Sequence, residues 1–148
     1  MLKNGGPNAC NLCHPDRSIA WTLEELKNEW GRKIATDPSW ESVYDPELGR
    51  PVGQVWLTHK FSTVRLVGAD AISRSPEENA AILELLAALK DEFAVNRLFG
   101  LFAVERVIGR QLTNEEYSPL ESPTIRGAQV ETLKKKFAPA GSYSRVQQ

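Results

Sequence analysis

Most of the chain after residue 54 spaces its hydrophobic residues as an α-helix does, with apolar positions three and four residues apart. The stretch FSTVRLVGADAISR predicts a helix that begins at Ser62 or Thr63. The stretch EFAVNRLFGLFAVERVIG predicts another, ending at Gly109, a residue that suits the left-handed C-cap of a helix. No run alternates hydrophobic and polar residues as a strand does, apart from the ambiguous QVWL. The pattern therefore predicts an all-α fold.

Capping residues predict where two further helices begin. Thr22 and Glu25 form the pattern of a capping box, and Ser75 is an N-cap residue followed by Pro76 at the first helical position. The weaker pattern of ESPTIRGAQVETLKKKF predicts a last, short amphipathic helix. The intervening stretch 35–53 is rich in proline and glycine, so we interpret it as a connection with at most short turns.

These elements predict a chain organised in four parts. Residues 1–20 are rich in Gly, Pro, Asn and Asp, and we expect an irregular segment there. Residues 21–53 hold the capped helix and the connection, residues 54–138 hold the regular helices, and residues 139–148 form a polar tail.

The regular helices contain an internal repeat with a period of 32 residues. Aligning the chain with itself at this offset gives seven identities: Leu57 with Leu89, Phe61 with Phe93, Arg65 with Arg97, Leu66 with Leu98, Gly68 with Gly100, Ala71 with Ala103, and Arg74 with Arg106. A helical repeat of this length is typical of an α-solenoid, in which each unit buries its apolar face by stacking on the next.

The two copies of this repeat resemble HEAT repeats. The carrying segments are HKFSTVRLVGADAI and DEFAVNRLFGLFAV, in which a polar turn precedes a helix with an apolar residue and an arginine in its first turns. The second copy has Asn96 where HEAT repeats usually have valine. The resemblance covers roughly residues 54–110 and implies a small HEAT-like α-solenoid of helical hairpins.

Composition and charge narrow the functional classes. The chain has 148 residues, of which 41% are hydrophobic and 25% charged, as expected for a globular domain. The net charge of −1 provides no basic field for nucleic acid, and no apolar stretch approaches the roughly 20 residues of a membrane helix. With two histidines and no phosphate-binding glycine loop, the chain is not expected to be an enzyme.

The candidate chemistry is concentrated in the pentapeptide CNLCH, which contains Cys10, Cys13 and His14. This spacing is that of covalent c-type haem attachment, in which the histidine ligates the iron. Zinc is an alternative, because these three residues and His59 supply four ligands by number. A redox dithiol is a further alternative, although it calls for a strand before the motif. The last alternative is that the cysteines are unmodified and the chain is a haem-free interaction module.

The wider segment PNACNLCHPDRSIAWTLEEL closely resembles the NACNLCH segment of multihaem c-type cytochromes whose chains continue into HEAT-like repeats. The resemblance implies that Cys10 and Cys13 carry a covalent haem c and that His14 ligates its iron. It implies electron transfer as the function, with the repeats docking a redox partner protein or an upstream cytochrome domain.

The second iron ligand and the cellular location depend on what lies around this segment. His59 is the only other histidine, and we consider it either a metal ligand or a polar residue of an exposed turn. Haem c is attached on the exported side of a membrane, so we expect a periplasmic or exported protein if the chain is part of a cytochrome. If Met1 is the natural start, we expect a cytoplasmic protein. Protein made in an ordinary cytoplasm would lack the haem.

Overall fold

The structure is a computed structural model that describes residues 5–45, 48–75 and 82–137. Within these residues it contains eight α-helices and no strand, so the prediction of an all-α fold is confirmed. The helices are α1 (Ala9–Cys13), α2 (Ile19–Trp30), α3 (Glu41–Tyr44), α4 (Val52–Leu57), α5 (Ser62–Ile72), α6 (Ile82–Ala88), α7 (Ala94–Ile108) and α8 (Pro123–Phe137), with a 3₁₀ turn at Pro38–Trp40. None of these helices is both long and apolar enough to cross a bilayer.

The ends of the regular helices agree with the sequence pattern, whereas the start of α2 does not. Helix α5 begins at Ser62, and α7 ends at Gly109, which has a left-handed φ of 70°. The predicted start at Thr22 is wrong, because Ser18 is the N-cap of α2 and accepts the amide of Trp21 at 3.1 Å. Helix α2 ends at Trp30, followed by Gly31 as a left-handed C-cap with φ of 61°.

Two other segments differ from their predicted character, and two predicted features lie outside the described residues. The ambiguous QVWL is helical and belongs to α4, and the N-terminal segment expected to be irregular contains α1 and the start of α2. The connection 35–53 contains short turns as predicted, together with the start of α4. Pro76 and the polar tail 139–148 lie outside the described residues.

The two copies of the sequence repeat form two helical hairpins that pack side by side. Helices α4 and α5 make the first hairpin and α6 and α7 the second, with α4 against α6 and α5 against α7. Phe61 and Phe93 are the N-cap residues of α5 and α7, with φ of −86° and −87° and ψ of 123° and 128°. The 32-residue offset thus relates backbone conformation as well as sequence. A solenoid stays a prediction, since about three such repeats are needed to define one.

The repeated arginine, Arg65 in the first hairpin and Arg97 in the second, makes equivalent hydrogen bonds in both. Each arginine extends back to the turn before its own helix. Its Nη1 donates there to two carbonyl oxygens that have no amide partner within a helix. Arg65 donates to His59 O and Lys60 O at 2.8 and 3.2 Å, and Arg97 donates to Asp91 O and Glu92 O at 2.9 and 2.8 Å.

A buried carboxylate joins the first hairpin to the second. Asp91 accepts Nε and Nη2 of Arg65 at 2.6 and 3.1 Å, and it also accepts the amide of Phe93 at 2.9 Å. Asn96 donates to Asp91 at 3.0 Å and to the carbonyl of Ser62 at 2.9 Å. Burial raises the pKa of Asp91, but the bonds from Arg65, Phe93 and Asn96 outweigh burial and hold the pKa below its usual value.

Two hydrophobic clusters pack other parts of the chain against the hairpins. The first packs α2, α3 and the 3₁₀ turn on the first hairpin and includes Trp40, Tyr44 and Trp56. The second packs α8 and Tyr117 on the second hairpin, around Leu89 and Leu133. Each hairpin therefore buries apolar side chains against segments outside the repeat, which stabilises the pair of hairpins.

Tyr117 is expected to make the protein less stable at high pH. It is 1% exposed and donates its O–H to the carbonyl of Leu89 at 2.6 Å. Burial raises its pKa to about 12, although the cations Arg126 and Arg97 lower it. Because the unfolded phenol ionises near pH 10, the stabilisation is full below pH 10 and is lost as the pH rises to about 12.

Urea unfolding of the wild type and of Tyr117→Phe from pH 8 to pH 12 measures this loss. We expect the wild type to be about 1 kcal/mol more stable at pH 8, the typical value of a hydrogen bond. Its advantage should disappear or reverse near pH 12, by about 2 kcal/mol in all. A constant difference between the two proteins over this range would contradict the assignment to Tyr117.

Candidate functional site

The pentapeptide CNLCH forms helix α1 and its C-terminal cap. Asn8 is the N-cap and accepts the amide of Asn11 at 3.1 Å, while His14 is the C-cap and donates its amide to the carbonyl of Cys10 at 3.1 Å. Cys10 and Cys13 are three residues apart on this helix, so their side chains leave it on neighbouring positions of one face. Neither cysteine is in a disulfide; Cys10 is half-buried and Cys13 is exposed.

The imidazole of His14 lies at the surface directly after the second thiol. Its ring centroid is 5.1 Å from that of Trp21, and the two ring planes are tilted by 57°. No hydrogen bond within the described part of the chain engages either of its ring nitrogens. Cys13 and His14 are exposed and Cys10 is half-buried, so all three side chains are at least partly accessible to a ligand.

Asn11, the residue after the first cysteine, is fully buried beneath this surface. Its Nδ2 donates to the carbonyls of His14 and Arg17 at 3.2 and 3.3 Å. Its Oδ1 accepts the hydroxyl of Thr22 at 2.7 Å and Nδ2 of Asn8 at 2.8 Å. One amide side chain therefore connects α1, the loop after His14 and α2.

The N-terminus of α4 holds the same loop from the other side. The amides of Gly53 and Val52 donate to the carbonyls of Pro15 and Arg17 at 2.8 and 3.0 Å. These amides belong to the first turn of a helix, where they have no partner within the helix. A Cβ at position 53 would lie 3.0 Å from the carbonyl of Pro15 and 2.8 Å from Ile72, so this contact requires glycine.

His59 is a buried capping residue and does not lie in the exposed turn that the sequence suggested. It is 7% exposed, and its Nδ1 accepts the amide of Phe61 at 3.1 Å. Because Nδ1 accepts this amide, it is not available to bind a metal ion in this conformation. The ring also packs against the backbone of Gly5. The role of His59 as a metal ligand stays a prediction.

The zinc alternative finds no assembled ligand set in residues 5–45, 48–75 and 82–137. There, no three or more His, Cys, Asp and Glu side chains are grouped to share a metal ion. Likewise, no strand precedes the cysteines in the described chain, as a thioredoxin-like dithiol requires. The site thus consists of the two thiols, His14 and their polar support.

The sequence pattern did not reveal this support. Asn11 occupies a variable position of the CxxCH pattern, and Thr22 was interpreted as a helix cap. The available signal was local, since an asparagine N-cap at Asn8 predicts a helix over the motif.

Comparison of the chain with protein-family models, curated proteins and solved structures finds no match.

Proposed function

We propose that this chain carries one covalent haem c on Cys10 and Cys13, with His14 as an iron ligand, and acts in electron transfer as a portion of a multihaem c-type cytochrome. The observation that carries the proposal is the arrangement of α1, with two unpaired thiols three residues apart and an accessible imidazole at its C-cap. These donors match those of a c-type site. A bound haem c would supply one-electron redox chemistry.

The thiols fit the attachment reaction in their present state. Each S–H adds across one vinyl group, so that an S–C bond forms, the π bond breaks and the thiol hydrogen passes to the other vinyl carbon. The reaction is neutral in electrons and requires reduced cysteines, and Cys10 and Cys13 are both unpaired. The exposure of Cys13 and His14 provides access for the group.

The exposed position of the site also supports the proposed partner. A haem held on this surface would be covered by an upstream cytochrome domain or by a redox partner protein, which would exclude water from its face. That domain would supply the second iron ligand, because Nδ1 of His59 is already bonded to the amide of Phe61 and its ring packs on Gly5. The location proposed is periplasmic or exported, where haem c is attached.

Production in a cell with haem c maturation tests the proposal. We expect the wild type to retain haem under denaturing conditions and the Cys10→Ala, Cys13→Ala double variant to retain none. His59→Gln is the control, because it removes the other histidine and leaves the thiols intact. It should keep both the haem and the absorbance spectrum of the wild type. Absence of covalent haem from the wild type, with the maturation system shown to be active, would contradict the proposal.

A haem-free helical-repeat module that binds a partner protein is the second candidate. The observation that favours it is an exposed apolar stripe on α7, formed by Val95, Leu98, Phe99 and Phe102, which are 38–57% exposed. Their spacing of three and four residues places them on one face. The apolar face of an amphipathic helix in a partner fits such a stripe.

Cross-linking in cells separates this candidate from the first. The Cys10→Ala, Cys13→Ala variant should cross-link to the same partner as the wild type, whereas a Phe99→Ser, Phe102→Ser variant should lose that partner. Equal recovery by both variants would exclude the stripe as the binding surface. A cross-linked homodimer would identify a second copy of the chain as the occupant.

A further inference from the structure

The loop that follows the second cysteine is held at three of its carbonyl groups. Asn11 binds the carbonyls of His14 and Arg17, and the first turn of α4 binds those of Pro15 and Arg17. The carbonyl of His14 accepts the amide of Arg17 at 3.1 Å as well as Nδ2 of Asn11, and α4 does not bond it. Loss of the Asn11 amide would therefore remove the side-chain support of the turn at His14, while the backbone bonds of His14 to Cys10 and Arg17 and the bonds from α4 remain.

We propose that Asn11 is the positioning residue of His14: its buried amide sets the direction of the imidazole before any iron binds. This inference rests on the proposed function, because it assigns His14 as the iron ligand. Partners that orient a ligating histidine typically strengthen metal ligation by about 10- to 100-fold. Here Asn11 orients the imidazole through the backbone of His14, because it bonds the carbonyl of that residue.

The surroundings of His14 explain why one buried amide has this effect. The imidazole is exposed, and the contact that fixes its ring within the described chain is the tilted packing on Trp21 at 5.1 Å. Trp21 belongs to α2, which Asn11 also binds through Thr22. The two bonds from Nδ2 of Asn11 thus act on the backbone of His14 and its loop, whereas the bond from Thr22 to Oδ1 only links Asn11 to α2.

If Asn11 only stabilised the fold, then removing its bond to α2 should affect His14 as much as removing its bonds to the loop. Thr22→Val removes the hydroxyl that donates to Oδ1 of Asn11 and leaves both Nδ2 bonds to the loop in place. Asn11→Leu removes all of these bonds at similar size. Asn11→Asp keeps the acceptor for Thr22 and lacks the amide donors, so it remains informative if the leucine variant does not fold.

The first readout uses the protein without haem. The ring current of Trp21 shifts the NMR signals of the His14 ring, which packs against it. The bonds to the carbonyls of Arg17 and Pro15 protect the amides of Val52 and Gly53 from hydrogen exchange. We expect Asn11→Leu and Asn11→Asp to lose the ring shift, and Thr22→Val to keep it. Unchanged His14 signals in folded Asn11 variants would overturn the inference.

The second readout uses the matured protein. We expect the Asn11 variants to shift the reduction potential upward, because a less firmly directed imidazole stabilises the ferric charge less, and Thr22→Val to keep the potential of the wild type. An equal shift in all variants would indicate a structural role and overturn the inference. If the wild type carries no covalent haem, the proposed function fails, and the NMR signals alone still decide whether Asn11 positions His14.

Discussion

Replacing Asp91 with alanine is expected to lower the free energy of unfolding by about 3–5 kcal/mol, the usual cost of removing one partner of a buried ion pair. The Asp91 side chain is 6% exposed and that of Arg65 is 16% exposed. The substitution would leave the guanidinium of Arg65 without its carboxylate between the two hairpins. It would also remove the acceptor for the amide of Phe93 at the start of α7. Urea unfolding at pH 7 measures the loss.

Glu92 provides a matched control for this prediction. It faces the same Arg65, at 3.4 Å, but its side chain is 73% exposed. Because exposed ion pairs contribute at most about 1 kcal/mol, Glu92→Ala should change the stability little. The difference between wild type and Asp91→Ala should also shrink as the pH falls below about 4, since the pKa of Asp91 is lowered by folding and its charge is lost there. Equal losses from both alanine variants would contradict the buried bridge.

Asp91 also shows how far the repeat could be predicted from the sequence. The seven identities at an offset of 32 residues predicted two similar helical units, and the matching bonds of Arg65 and Arg97 agree with them. The same offset relates His59 to Asp91, two different residues that accept the amides of Phe61 and Phe93 in the same way. Identity could not reveal this equivalence, because an imidazole nitrogen and a carboxylate oxygen are both acceptors.

The pattern of α2 was misleading for a similar reason. Ser18 and Thr22 are both residues that cap helices, and the sequence has acidic residues suited to a capping box after Thr22. The structure uses Ser18 as the cap, and the Thr22 hydroxyl is buried against Asn11. That choice depends on a contact between α1 and α2, eleven residues apart in sequence. Local propensity does not contain such a contact.

The chemistry of the site was predictable to the extent that it is local. Cys10, Cys13 and His14 follow one another in the chain, and a short capped helix places them together without any long-range contact. The support beneath them was not predictable, since it requires the carbonyl of Arg17 to meet the amide of Val52. The sequence therefore indicated the two thiols and the imidazole, whereas the residues that support them could be identified only from the fold.

Replacing Gly68 with alanine is expected to lower the free energy of unfolding, because overpacking of a close contact costs about 1–3 kcal/mol. A Cβ at position 68 would lie 2.7 Å from Cβ of Trp56 and 3.2 Å from its carbonyl carbon. Trp56 is fully buried, so it cannot move aside without disturbing the first cluster. The loss should exceed the roughly 1 kcal/mol that alanine gains over glycine within a helix. Thermal and urea unfolding at pH 7 measure the net change.

Gly100 occupies the equivalent position of the second hairpin and supplies the control. A Cβ there would meet atoms of Ala88 at 3.4 Å, an ordinary contact distance. With no overlap to offset it, the helix propensity of alanine should leave Gly100→Ala unchanged or more stable by up to about 1 kcal/mol. The same substitution at one repeat position would then destabilise the first hairpin and not the second, because the first hairpin packs a tryptophan where the second packs an alanine. If Gly68→Ala is as stable as Gly100→Ala, the close approach of α4 and α5 at Trp56 is not tight.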